Sequence, residues 1–403
     1  MTILTDKHIL LGVTGSIAAY KAAELASRLT QQGAQVDAIL TSGAQNFVTA
    51  LTFQSVTGRK VFTSEDLWGG EAHVLHVGLG HKADLMVIAP CTANTLAKLA
   101  HGLADNLLTI TALAMNGAIL VAPAMDAGMY EHPATQANVS ILRERGILFA
   151  GPAHGRMASG LSGQGRMLEP DEIIGHIRLA LARGGKLAGR RVVVTAGGSQ
   201  EPIDPVRYIS NRSSGKQGYA LAQAALDKGA DVTLITHPTG LVTPTGAQVV
   251  EVRTAREMQQ AVLGACRDAD VLVMAAAVAD FQVKNVAGQK LKKRDGIPQI
   301  ELSVAPDVLG AVAQVRENLK KLKVVVGFAA ESRDLVENAS AKLTSKKLNF
   351  IAANDISASD AGFAVDTNRI NLLYADGARE LLPLMGKDEA AQIIIERIAA
   401  LLE

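Results

Sequence analysis

Asp126 sits in the stretch PAMDAGMY, Pro123 to Tyr130, directly after the apolar run AILVA. A carboxylate at the end of a buried strand is costly unless something there uses it. The position could hold a catalytic acid, a helix cap, or a substitution in a site shaped for another residue. His76 lies in HVLHVGLGHKADL, and imidazole is the usual proton mover near neutral pH. His73 and His81 lie close by, so the sequence does not choose among the three, and a lone histidine is more often structural than catalytic. GVTGSIAAYK (12–21) is a glycine turn between a strand and a helix. Backbone N–H groups at a helix start bind anions, and Gly12 and Gly15 permit close approach. The dinucleotide and P-loop spacings are both absent, so the turn suits a mononucleotide phosphate, or simply a tight connection. TSGAQNF (41–47) and APCTANTLAKLAHGLADNLLT (89–109) are further polar loops after strands. In the second half, KLKK (290–293) and AKLTSKKLN (341–349) place lysines near the strand-end loops APDVL (305–309) and GFAAES (327–332). Several lysines so placed suit the charge of a triphosphate better than solvation alone does.

These side chains need a scaffold, and 403 residues are too many for one core. Hydrophobic residues make up 48% and charged residues 20%, the balance of a packed globular protein. A net charge of +1 provides no field for nucleic acid or an acidic membrane. Two cysteines, Cys91 and Cys266, exclude a disulfide framework and a cysteine zinc site. Cys91 falls in a candidate ligand loop, where a small buried filler is its expected role. The N-terminal stretch MTILTDKHILLGV lacks the pattern of a signal peptide, and no apolar run reaches about 18 residues. A reducing cytoplasm is the expected location.

Apolar strands alternate with helical patterns. HILLGV (8–13), QVDAIL (35–40), ADLMVIAP (83–90) and GAILVAPAM (117–125) read as strands, with helices over 16–33 and 93–104. Continuous apolar strands bounded by helices predict a parallel sheet covered on both faces. DEIIGHIRLALARGGKLAGR (171–190) reads as a helix running into a linker, and the pattern then restarts. Strands are expected in 190–198, near 231–236, in 269–280, 323–331 and 350–355. The tail 369–384 reads as a hairpin turning at Asp376-Gly377, followed by a helix from Lys387. The expectation is two α/β domains, 1–188 and 189–403.

Together GVTGSIAAYK, HVGLGHKADL, APCTANTLAKLAHGLADNLLT and APAMDAGMY resemble the flavin-dependent cysteine decarboxylases. The second half resembles the phosphopantothenate–cysteine ligases, and the order and length resemble the bifunctional coenzyme A biosynthesis family over essentially residues 7–400. The resemblance implies two Rossmann-like domains, a flavodoxin-like FMN-binding decarboxylase followed by a nucleotide-binding ligase. It implies that Gly15, Ser16, Ile17, Thr41, Ser42, Thr92, Ala93 and Asn94 hold FMN, and that His76 is the family's essential histidine. It also implies oxidation of the substrate's cysteine thiol to a thioaldehyde, loss of the carboxylate as CO₂, and reduction to 4′-phosphopantetheine. In the ligase half it implies activation of 4′-phosphopantothenate by CTP as an acyl-cytidylate, followed by attack of cysteine. Asn211 aligns with the residue that holds the acyl intermediate, and Lys290 with the lysine of the second half-reaction. Met274, Ala275, Ala276, Asp280, Lys290, Pro306, Asp307, Val308, Leu309, Phe328, Lys342 and Lys346 align with nucleotide contacts. Mg²⁺ is the implied bridging cation, without assigned protein ligands. A homo-oligomer is implied, ligase units as dimers and decarboxylase units as trimers.

Two positions depart from the family pattern. The motif after the strand carries Asn where this chain has Asp126, and the flap GRMASGLSGQGRM (155–167) carries Ser159 where the family has cysteine. An ionised Asp accepts but cannot donate, unlike Asn. A serine hydroxyl is a far weaker acid than a thiol of pKa about 8.5. An active variant site is the leading expectation. A ligase with a weakened decarboxylase half, or a flavoprotein scaffold that regulates a partner by binding, are the alternatives.

Overall fold

The computed structural model describes residues 2–68, 74–156, 160, 162–331, 334–355 and 366–403. The chain divides into two compact units, Met1–Ala182 and Arg183–Glu403, and each is described by itself.

The first unit begins β1 (His8–Val13), α1 (Ala19–Gln31), β2 (Gln35–Leu40), α2 (Ala50–Thr57), β3 (Val61–Phe62) and α3 (Leu75–Lys82). It continues β4 (Leu85–Cys91), α4 (Ala93–His101), α5 (Leu107–Leu113), β5 (Ala118–Pro123), α6 (Ala127–Glu131) and α7 (Pro133–Glu144). It closes with β6 (Leu148–Phe149), a hairpin of β7 (Ala153–Arg156) and β8 (Ser162–Arg166), and α8 (Pro170–Leu181). Among the described residues the sheet is six-stranded, in the order β3-β2-β1-β4-β5-β6. All its pairings are parallel.

Strand alternation explains why both faces are covered. Ile9, Leu11, Val13, Leu85, Val87 and Ala89 pack with α1 and α8 on one side. Leu10, Met86 and Ile88 pack with α4, α5 and α7 on the other. Successive strand side chains point to opposite faces, so a strand apolar at every position needs helices on both. Each such side chain contributes about 1.5–3 kcal/mol of burial. Ile88→Ala would cost about 2–5 kcal/mol.

The second unit runs β9 (Arg191–Ala196), the hairpin β10 (Gln200–Pro202) and β11 (Tyr208–Ser210), α9 (Lys216–Leu226), β12 (Asp231–Thr236), β13 (Gln248–Glu251) and α10 (Ala255–Ala265). It then adds β14 (Val271–Met274), the hairpin β15 (Phe281–Val283) and β16 (Leu302–Val304), α11 (Val308–Val315), β17 (Val324–Glu331) and α12 (Leu335–Ser345). It ends with β18 (Phe350–Asp355), β19 (Thr367–Asn368), β20 (Ile370–Tyr374), β21 (Arg379–Leu381), β22 (Met385–Gly386) and α13 (Lys387–Ala400). Its main sheet has the order β13-β12-β9-β14-β17-β18-β20-β21, parallel until β20 and β21 add antiparallel strands.

Both units have the expected Rossmann-like α/β architecture, and the first is the flavodoxin-like layered sheet with helices on both faces. In each, the first strand lies inside the sheet and the chain reverses direction beside it, between β1 and β4 and between β9 and β14. Ligands of open α/β sheets bind outside the carboxyl ends of strands at such a reversal. The expected hairpin is present, with Gly377 at φ +89° in its turn and the Ala378 amide donating to Asp376 at 2.9 Å. Two boundaries differ from expectation. α1 starts at Ala19, because residues 16–18 form a turn. β14 stops at Met274 rather than near residue 280, which frees 275–280 as a loop.

Candidate functional sites

In the first unit, the turns after β1, β2, β4 and β5 converge on a cavity of about 530 Å³. Thr14 fixes two of them. Its hydroxyl donates to the Pro90 carbonyl at 2.7 Å and accepts from the Thr92 amide at 3.2 Å, so the turns after β1 and β4 are tied to each other. The turns after β1 and β2 meet backbone to backbone. A Cβ on Gly15 would lie 2.9 Å from the Gly43 carbonyl carbon, so only glycine permits that approach. Thr92 caps α4 by accepting from the Thr95 amide at 3.3 Å, and the Thr41 hydroxyl donates to the Val13 carbonyl at 3.2 Å. The lining is thus hydroxyls and free backbone amides at helix starts, the donor set for a phosphate. Its size is that of a small-molecule or cofactor pocket.

Gly15, Ser16, Thr41, Ser42, Thr92, Ala93 and Asn94 all line this cavity. Ile17 lines an adjoining one, also about 530 Å³, that shares Ser16, Ala124 and Met125 with it. Asp126 is in this second cavity with Tyr20, Lys21, Arg156 and Arg166. It is half-buried and caps α6, its Oδ1 accepting from the Gly128 amide at 3.1 Å. An Asn would cap equally well, so the cap does not require the charge. His76 sits in the first turn of α3, half-buried, and lines neither cavity. His73 and Ser159 lie outside the described residues.

The sequence reading missed the cations of the second cavity. Lys21 is 6% exposed and donates to Glu169 at 2.8 Å and to the Met167 carbonyl at 3.3 Å. Arg166 donates to the same Glu169 at 2.7 Å. The hydrogen bond from Lys21 is the main cause that holds the Glu169 carboxyl below its usual range, against desolvation. The available signals were Lys21 at the end of the glycine-turn motif and the two arginines in the flap. Cys91 is fully buried among the core side chains of that face, and burial pushes its thiol well above its ordinary value.

The second unit holds a larger cavity, about 870 Å³. Its floor is the loop freed after β14. The Ala276 amide donates to the Thr195 hydroxyl at 3.0 Å and the Ala279 amide to the Ser199 hydroxyl at 2.9 Å. Asn211 lies over this loop, and its Nδ2 donates to the Ala277 and Val278 carbonyls, each at 3.2 Å. Both amide hydrogens are thereby engaged, and Oδ1 remains as its acceptor.

Met274, Ala275, Ala276, Asp280, Pro306, Asp307, Val308, Leu309, Phe328, Lys342 and Lys346 all line the cavity. Lys342 donates to the Phe328 carbonyl at 2.9 Å. Asp307 caps α11 through the Gly310 amide at 2.8 Å and pairs with Lys346. Desolvation pushes its carboxyl up, but the Lys346 and Gly310 hydrogen bonds outweigh it and hold the group below its usual range.

Lys290 does not line the cavity. It is exposed on the loop between β15 and β16, which is pinned next to it. The Leu291 amide donates to Asp204 at 3.1 Å, and Arg207 donates to the Leu291 carbonyl at 2.7 Å.

The start of α9 at Ser213–Gly218, where the sequence offers Ser and backbone donors suited to a phosphate, also lines it, with Lys216, while the lining residues Asn354, Asn368 and Lys387 escaped the sequence reading. Lys387 is 7% exposed. Desolvation first, and then the charge of Lys216, lower its ammonium pKa. The SSGKQG stretch was the signal for the first group. Nothing local marks Lys387, the first residue of the last helix. Among the described residues no cluster of His, Cys, Asp or Glu could hold a metal ion, and no helix is long and apolar enough to cross a membrane.

The fold and the three cavities define two α/β units of the nucleotide- and cofactor-binding class, the second with a lysine-rich pocket. The flavoprotein family profile matches residues 2–181, and the profile of the DNA/pantothenate metabolism flavoprotein C-terminal domain matches residues 187–402. The chain is 42% identical over 402 residues to the coenzyme A biosynthesis bifunctional protein CoaBC of Bacillus subtilis, covering 99% of this chain and 98% of that protein. It is 43% identical over 400 residues to its Vibrio cholerae counterpart, with 99% of each covered. Among solved structures, the C-terminal domain of a coenzyme A biosynthesis bifunctional protein CoaBC aligns at 36% identity and a TM-score of 0.47, covering 54% of this chain and 98% of that one. The chain belongs to the family of coenzyme A biosynthesis bifunctional proteins.

Proposed function

We propose that the chain carries out two consecutive steps of coenzyme A biosynthesis in the cytoplasm. It ligates cysteine to 4′-phosphopantothenate and decarboxylates the product to 4′-phosphopantetheine. The observation that carries this reading is the near end-to-end match to bifunctional relatives, in a chain whose two cavities gather most of the aligned residues.

In the ligase half, a carboxylate oxygen of 4′-phosphopantothenate attacks the α-phosphorus of CTP. Pyrophosphate leaves, the cysteine amine attacks the acyl carbon, and CMP leaves. Lys342 and Lys346 offset the negative charge of the nucleotide and of the developing transition state. Mg²⁺ would offset further phosphate charge, arriving with the nucleotide rather than on a protein site, since no ligand cluster stands among the described residues. Asn211, its plane fixed by two carbonyls, offers Oδ1 to a donor on the substrates. Lys290, outside the pocket lining, would serve the second half-reaction through its exposed side chain.

In the decarboxylase half, FMN would supply the two-electron acceptor and donor that thiol oxidation and later reduction require. Gly15, Ser16, Thr41, Ser42 and Thr92 to Asn94 fit its phosphate and ribityl chain with hydroxyls and free amides, and exposed Ile17 fits its ring. Asp126 lies where the substrate carboxylate is expected, and Ser159 would supply the flap hydroxyl. His76 lines neither cavity of its own subunit, which is what a site completed by a second copy requires. Trimers of the first domain and dimers of the second, which the family resemblance implies, are part of the proposal.

The test is a coupled assay with 4′-phosphopantothenate, cysteine, CTP and Mg²⁺. Release of pyrophosphate and CO₂ with formation of 4′-phosphopantetheine is expected. Accumulation of phosphopantothenoylcysteine by flavin-loaded protein would refute the decarboxylase half; no product at all would refute the ligase half, and phosphopantothenoylcysteine added directly, with no CO₂ released, would refute the decarboxylase half.

A further inference from the structure

We propose that Arg156 binds the substrate carboxylate in the decarboxylase site, with Asp126 as the counter-charge beside it. The inference rests on the decarboxylase reading above and names a residue for it. Arg156 ends β7, in register with Ser162 of β8, and lines the same cavity as Asp126. The hairpin is fastened to the Asp126 loop. The Met125 amide donates to the Gly165 carbonyl at 3.0 Å. A Cβ on Gly165 would lie 2.4 Å from the Met125 carbonyl oxygen, so the two backbones touch. The strand that carries Arg156 is thereby held against the loop that carries the acid.

Charge counting singles out Arg156. Lys21, Arg156 and Arg166 are the cations of the cavity. Lys21 and Arg166 both donate to Glu169, at 2.8 and 2.7 Å. Arg156 makes no ion pair among the described residues. A substrate carboxylate arriving beside Asp126 brings a second acceptor-only group, and two carboxylates in contact repel unless a proton or a cation stands between them. A guanidinium stays charged at any working pH and takes a carboxylate through two parallel N–H bonds. Arg156 thus does what an amide at position 126 would otherwise do.

The experiment uses the full-length FMN-loaded protein and two inert probes, N-(4′-phosphopantothenoyl)serine and its serinamide. Their hydroxyl replaces the thiol and leaves nothing to oxidise, so binding can be measured at equilibrium by calorimetry. Wild type is expected to bind the acid about tenfold or more tightly than the amide. Arg156→Met should erase that preference, Arg156→Lys should keep part of it, and Asp126→Asn should enlarge it by removing a negative charge. Flavin content and ligase turnover should not change in Arg156→Met, which shows that the variant folds. A wild-type preference surviving in Arg156→Met overturns the proposal, and so does a wild type that binds both probes equally or neither. Absence of CO₂ release from phosphopantothenoylcysteine would refute the decarboxylase reading separately, while the acid-over-amide preference stays readable.

Discussion

The cavity after β1 and the cavity after β14 occupy the same place in related folds, yet they are built from different parts. The first is made of short turns that touch each other through backbone, as at Gly15 and Gly43. Its polar lining is mostly hydroxyls and amides at helix starts. The second is ringed by long side chains, Lys216, Lys342, Lys346 and Lys387, carried on helices. Lys346 pairs with Asp307 and Lys216 with Asp366. A ligand held by backbone amides depends on where two loops lie, while one held by lysines depends on charge. Loss of position should therefore break the first site, and loss of charge the second.

The largest expected effect is Gly15→Val. Its side chain would enter the Gly43 backbone and push the turns after β1 and β2 apart, at about 1–3 kcal/mol or more. Purified protein should lose most of its bound flavin, read from its visible absorbance, and keep ligase turnover. Retained flavin would mean that the loop contact does not shape the site. Next comes Lys346→Met in the second cavity. Losing a charged hydrogen bond costs about 1.5–3 kcal/mol, so kcat/KM for CTP should fall about ten- to a hundredfold with flavin content unchanged. An unchanged value would remove Lys346 from the nucleotide site.

The same contrast explains what the sequence made legible. Thr41, Ser42 and Thr92 to Asn94 directly follow apolar strands of six or seven residues, QVDAIL and LMVIAPC. A strand's end fixes where its next residues stand, so local pattern was enough. The strands β3 and β6 have two residues each, too few to show a period, and β7 and β8 read AHGR and SGQGR without apolar alternation. Arg156 was therefore invisible as a site residue, although the segment was recognised as a flap. Lys387 reaches its cavity from the far end of the chain, and only the antiparallel return through β20 and β21 brings it there. His76 was placed by resemblance alone. It lies on α3, which starts after a segment outside the described residues, and no local rule ties that helix to the cavity.

A smaller effect concerns pH. The Asp307 carboxyl is held below its usual value by the Lys346 and Gly310 hydrogen bonds, despite desolvation. A depressed folded-state pKa contributes stability above the unfolded value, about 3.9 for Asp, and that contribution disappears as pH falls through the folded value. Wild type should therefore melt above Asp307→Asn near neutral pH, and the gap should close only in acid, below about pH 4. A gap that persists unchanged into strong acid would assign the difference to packing rather than charge. The first cavity carries a pair of the same kind in Lys98, which lines it and donates to Asp105 at 2.6 Å, holding that carboxyl below its usual range.

The smallest effect should come from Cys91. It lies between Pro90 and Thr92, at the end of β4, and so is the cysteine of the flavin-side loop. By resemblance the family's flap carries a thiol at the position of Ser159, and on the proposed reading that would make Cys91 the obvious substitute proton donor. Its surroundings argue otherwise. The residue is fully buried in the core cluster of that face, beside Leu107, Leu108 and Val121 in the same packing. Burial also raises its thiol pKa, which makes thiolate formation harder, and its carbonyl is engaged by the Ala124 amide at 3.0 Å. Cys91→Ala should cost about 1 kcal/mol of stability, as removal of one buried heavy atom does, and leave decarboxylase turnover within about twofold. Thiol reagents should leave native protein active for the same reason. A Cys91→Ala enzyme that oxidises substrate but stalls before the final reduction would place the missing proton donor in the sheet rather than in the flap.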